Sequence, residues 1–128
     1  MTKKNSKSLL EAVETLIGEN AFFEGTLKTD KPIRVDGRFK GNIEKAFGVI
    51  IGEKALIEGD INAEAVEVNG TVQGNINAAE YIELMPTAKV TGDIKTNILS
   101  VAEGARFEGK SSMSPSLQEK ENNGAAKK

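Results

Sequence analysis

Residues 49–61, VIIGEKALIEGDI, restate residues 15–27, TLIGENAFFEGTL: Ile-Gly-Glu, the following Ala, Glu-Gly and a closing aliphatic residue all keep their places. Self-similarity of this length constrains the fold strongly. Each copy must become the same structural unit and bury its apolar face against the next. Six copies fill the centre of the chain. Their opening strands are marked by Thr15/Ile17, Ile33/Val35, Val49/Ile51, Val66/Val68, Ile82/Leu84 and Leu99/Val101, with starts 18, 16, 17, 16 and 17 residues apart. A small residue follows (Ala21, Gly37, Ala55, Gly70, Ala88, Ala105), and two positions later a bulky apolar one (Phe23, Phe39, Ile57, Val72, Val90, Phe107). Then come a glycine (Gly25, Gly41, Gly59, Gly74, Gly92, Gly109) and, two residues on, Leu27, Ile43, Ile61, Ile76, Ile94 and finally Ser111.

Within a copy the apolar positions alternate with polar ones. Residues 33, 35, 37, 39, 41 and 43 read Ile, Val, Gly, Phe, Gly, Ile, while Arg, Asp, Arg, Lys and Asn stand between them. Period two is the β signal. A meander of hairpins reverses direction at every turn and would not return the same residue types in the same order every 16–18 residues; a coil does. The sequence therefore predicts an all-β fold, a parallel β-helix (solenoid) of about six turns. At about 4.8 Å per turn it is a rod roughly 29 Å tall.

The glycine column lies between two inward apolar positions and predicts a sharp corner, where positive φ is tolerated. The next column, Thr26, Asn42, Asp60, Asn75, Asp93 and Lys110, is built of turn-favouring side chains that bond nearby backbone. A calcium row is disfavoured, because Thr and Lys interrupt it and no acidic loop supports it. Four copies carry two extra residues, in GENA, GEKA, MPTA and AEGA, which predicts one elastic corner.

Composition narrows the function. The chain has neither Cys nor His, so disulfides, thiolate chemistry and imidazole-based metal sites are excluded. Solenoid acyltransferases that use His as base are excluded with them. Residues 15–111 hold eleven Lys and Arg against fifteen Asp and Glu, a net −4, which argues against a nucleic-acid partner. No run of about 20 apolar residues or cleavable leader is evident, so a cytoplasmic chain is expected. The outward column of the first strand (Leu16, Arg34, Ile50, Glu67, Glu83, Ser100) is no flat Thr ladder of the ice-binding kind. The expectation is no enzyme, no cofactor and no metal.

Open solenoid ends expose unpaired backbone groups, and soluble repeat proteins cover them with caps. No convincing cap is legible here. The motif VDGRFKGNI, repeated as VNGTVQGNI in a six-turn core flanked by short polar tails, resembles the bactofilin family across residues 15–111. The resemblance implies a right-handed β-helix and a bacterial cytoskeletal protein. Its subunits would join end to end into non-polar filaments without bound nucleotide, serving cell shape or the localisation of envelope proteins. Implied partners are the chain itself, the inner membrane and peptidoglycan-modifying enzymes, with neither nucleotide nor nucleic acid. The implied place is the cytoplasm, at the inner face of the cytoplasmic membrane. The alternative is a monomeric solenoid that recognises a protein or cell-wall partner.

The expected domains are a flexible tail, 1–14, the bactofilin-like β-helix, 15–111, and a disordered tail, 112–128. The expected polymer interface comprises Ile17, Phe23, Leu27, Leu99, Val101 and Phe107, the apolar residues of the terminal turns. The segment 8–14 is too short for a stable helix of its own. It is open to three readings: a cap over the first turn, disorder, or a membrane contact through Lys3, Lys4, Leu9, Leu10 and Val13. The tail departs from many membrane-targeted members of the family in lacking an aromatic residue close to Met1.

Overall fold

The structure is a computed structural model that describes residues 13–113. Alternating apolar residues make twelve strands: β1 (Thr15–Ile17), β2 (Phe22–Lys28), β3 (Ile33–Val35), β4 (Arg38–Ile51), β5 (Leu56–Glu58), β6 (Ile61–Val68), β7 (Thr71–Gln73), β8 (Ile76–Leu84), β9 (Lys89–Thr91), β10 (Ile94–Val101), β11 (Arg106–Glu108) and β12 (Ser111–Met113). All pairs are parallel, and each turn of the coil contributes to three ladders. The first sheet stacks β1, β3 and the ends of β4, β6, β8 and β10. The second stacks the start of β2 and of β4 with β5, β7, β9 and β11. The third begins at Leu27 and runs through Ile43, Ile61, Ile76 and Ile94 to β12.

The expected columns are the observed registers. Phe23 stands on Phe39, Phe39 on Ile57, Ile57 on Val72, Val72 on Val90 and Val90 on Phe107. Thr15 and Ser111, the two deviating residues, still pair with Ile33 and Ile94. Inward side chains of all three sheets meet in one core, with Ile33, Ile43, Ile51, Ile61, Ile76 and Val66 wholly buried.

Three corners separate the sheets. Between the second and third, the glycine column holds φ of 140 to 154°. A Cβ at Gly41 would overlap the Gly25 carbonyl oxygen of the turn before, so the corner excludes every other residue. Between the first and second, the four longer copies close β-turns in which Ala21, Ala55, Ala88 and Ala105 donate N–H to the carbonyl three residues back. Gly37 and Gly70 take the short path. A Cβ there would run into carbonyls of the neighbouring turn, so "small" understates the requirement. The third corner is elastic too, contrary to the single elastic corner expected: one-residue bulges shift the register after Ile43 and between Ala78 and Tyr81, and Lys45 adopts φ 61°. Two variable corners together produce the spacing of 16 to 18 residues.

Candidate assembly surfaces

Among the described residues, interior strands are paired on both edges, whereas β1 pairs only β3, β2 only β4, β11 only β9 and β12 only β10. Among these residues the coil therefore ends in two open rows of backbone donors and acceptors. Side chains repeat the pattern. Phe39 is 1% exposed, but Phe23 below it and Phe107 at the far end are half-buried, with Leu27, Val101 and Ala105 packed on the core in the same partial way. Phe23 stacks on Phe39 with ring centroids 4.9 Å apart and planes 12° from parallel, and its other side faces the open end. Phe22, 53% exposed, carries the Arg38 guanidinium 4.9 Å from its ring.

The six expected interface residues fall into two groups. Ile17, Phe23 and Leu27 line the first turn; Leu99, Val101 and Phe107 line the last. Ile17 and Leu99 are already largely buried within the chain, so of the six Phe23, Leu27, Val101 and Phe107 keep the more open apolar surface, and the first turn adds the outward Leu16 and Phe22. Lys3, Lys4, Leu9 and Leu10 lie outside the described residues. Val13 is half-buried at the entry to the first turn.

The column after the corner glycine does more than favour turns. Each carboxamide or carboxylate accepts the backbone N–H one turn further along: Asp60 donates to Asn42 Oδ1 (3.2 Å), Asn75 to Asp60 Oδ1 (3.1 Å), Asp93 to Asn75 Oδ1 (3.0 Å) and Lys110 to Asp93 Oδ1 (3.2 Å). Lys110 brings no acceptor, so the row closes at the last turn. Among the described residues no group of three acidic side chains is placed to hold a metal, and no helix is long and apolar enough to cross a membrane. An open groove is lined by Ala46, Ala63 and Ala78 together with Asp30, Lys45, Asn62, Glu64 and Lys95.

Residues 15–112 match the family model for bactofilins, described as polymer-forming cytoskeletal proteins. The chain belongs to the bactofilin family. Among curated bactofilins it is 33% identical over 95 residues to BacO of Myxococcus xanthus, covering 74% of this chain and 75% of that one. To BacP of the same organism it is 28% identical over 112 residues, covering 88% of this chain and 47% of BacP. The fold is similar to that of a Thermus thermophilus bactofilin reconstructed by cryo-EM as double helical filaments. The TM-score is 0.69 at 24% identity, covering 79% of this chain and all of that one.

Proposed function

We propose that this chain is a cytoskeletal scaffold without catalysis, whose subunits join end to end through their open terminal turns into nucleotide-independent, non-polar filaments. The observation that carries the reading is the pair of end turns, where, among the described residues, Phe23 and Phe107 continue the core ladder but have a ladder neighbour on one side only. Burying the free side of such a ring contributes up to about 1.5–3 kcal/mol. The columns favour like ends meeting. Stacking a last turn on a first turn in register would set Glu108 over Glu24 and Glu103 over Glu19, and would offer Thr26 a Lys110 side chain that accepts nothing. A two-fold joint instead places the same patch on both sides.

Phe107→Arg tests the joint. Two such last turns facing each other in one joint bring two cations into a closing dry interface, so the variant runs as monomer or dimer with its β circular dichroism retained. Gln73→Arg adds the same charge on the outer side of an inner turn and assembles as the unaltered chain does, to species far above 13.7 kDa. Long filaments of Phe107→Arg by negative-stain microscopy would discard the C-terminal end as a contact. An unaltered chain that stays monomeric at micromolar concentration would favour the monomeric binding module.

The filament would serve cell shape or place envelope-associated proteins, including peptidoglycan-modifying enzymes, at the inner face of the cytoplasmic membrane. Lys3, Lys4, Leu9 and Leu10 would supply the lipid contact, cations to the headgroups and leucines to the acyl boundary. Leu9→Asp with Leu10→Asp should abolish co-flotation with phosphatidylglycerol vesicles and leave filaments intact. Undiminished flotation would remove the tail as anchor.

A further inference from the structure

The second sheet ends on β11, which pairs β9 on one edge and, among the described residues, nothing on the other. Phe107 points inward and stands on Val90, while Arg106 and Glu108, one to each side of it, point outward and are exposed. Among the described residues the ion pairs are Arg34–Asp36 and Lys54–Glu19, so neither of these two charges is matched there. Arg106 also stands on Lys89, a like charge one turn below. An anion on its open side would offset that repulsion.

A strand that reads cation, apolar, anion is its own complement in an antiparallel pair. With Phe107 of one copy opposite Phe107 of another, both rings point inward, and Arg106 of each copy lies opposite Glu108 of the other on the outer side. Opposite charges directly across two strands attract, and like charges repel. Sliding by two residues, the smallest step that keeps the rings inward, would set Arg106 on Arg106 or Glu108 on Glu108. A last turn stacked on a first turn would give Arg106 the Phe22 ring but set Glu108 on Glu24. At the first turn the antiparallel pairing about Phe23 sets Phe22 on Glu24, and no ion pair forms. The self-complementary charges belong to the last turn.

The shape of the end selects the same axis. The coil climbs about 4.8 Å in each turn. Counted upward from the first turn, the end of β10 is therefore the lowest part of the last turn, β11 lies midway and β12 is highest. A two-fold axis through β11 exchanges the first and third sheets, so the low edge of one copy receives the high edge of the other and the gap stays even. An axis through the first or third sheet would leave a full rise of about 4.8 Å open on the other two.

We propose that last turns join by antiparallel pairing of β11 with β11 of a second copy, across a two-fold axis at Phe107, with two reciprocal Arg106–Glu108 ion pairs setting the register. The proposal rests on the like-end reading above and adds the axis, the register and the charges that fix it.

Glu108→Arg sets arginine against Arg106 at two places in each such joint, so the concentration needed for filaments should rise about tenfold or more. Adding Arg106→Glu restores opposite charges, and assembly should return to that of the unaltered chain. In a head-to-tail stack Glu108→Arg would instead meet Glu24 and assemble more readily, which would overturn the proposal, as would a double variant no better than the single one. The chain has no cysteine, so disulfides read the register separately. When full-length Arg106→Cys and Glu108→Cys proteins assemble together, a disulfide should close between the two positions, because directly opposite Cα atoms lie about 4.5–5.5 Å apart. Either protein assembled alone should crosslink about tenfold more slowly or less, its cysteines being two residues out of register. Fast crosslinking of either protein alone, with filaments of the unaltered chain still forming, would keep like ends and discard this register. An unaltered chain that stays monomeric would discard the like-end reading with it.

Discussion

A methyl group separates the outcomes expected at Gly41 and Gly18. At Gly41 the backbone holds φ 141°, and an added Cβ would overlap the Gly25 carbonyl, part of a corner fixed by the ladders on either side. At Gly18 nothing lies within 4 Å of that position. Gly41→Ala should therefore cost more than about 2 kcal/mol, strain and backbone displacement together. Gly18→Ala should stay within about 0.5 kcal/mol. Urea unfolding of the two variants checks the contrast, and similar midpoints would mean that the corner relaxes freely. The sequence made the glycine column visible as a column. It could not distinguish Gly37 and Gly70 from the alanines of their own column, because their requirement comes from carbonyls of a neighbouring turn.

The strand ladders were the most legible part of the molecule. Period-two alternation and a recurring order of residue types set register, number of turns and direction together, since a shift of one residue would turn each apolar face to water. Corners were less legible. The bulges beside Lys45 and before Tyr81 leave no mark in the inward columns, and the Asn42–Asp60–Asn75–Asp93 row reads as turn chemistry until the coil brings each side chain to the next N–H. The terminal apolar residues were legible as ends of columns, but the burial of Ile50 was not, because alternation marks Ile50 as solvent-facing. The ladder also ranks its own members. Phe39, 1% exposed and stacked between Phe23 and Ile57, should lose about 3–5 kcal/mol as Phe39→Ala. Phe107→Ala should cost the free subunit less, because that ring is only partly buried there. Equal losses would show that Phe107 is enclosed before any joint forms.

A coil in which each turn touches mainly the turns beside it distributes stability by position. The four inner turns have a neighbour on each side, and the first and last have one. In a subunit carrying both Phe23→Arg and Phe107→Arg, which closes neither joint, amide exchange should begin at both ends, in residues 13–28 and 99–113, before it reaches the inner strands, since local opening follows the fewest buried contacts. Assembly changes this only where turns gain neighbours. If like ends meet at every joint of a continuous filament, joints between first turns alternate with joints between last turns, and both ends should slow at least tenfold in polymers of the unaltered chain. Mass spectrometry of exchange in the two samples separates the cases. Protection confined to residues 99–113 would mean that subunits pair through their last turns and stop, giving dimers rather than filaments. Protection at neither end would place the contacts on the sides of the coil, and the open edges would then need another explanation.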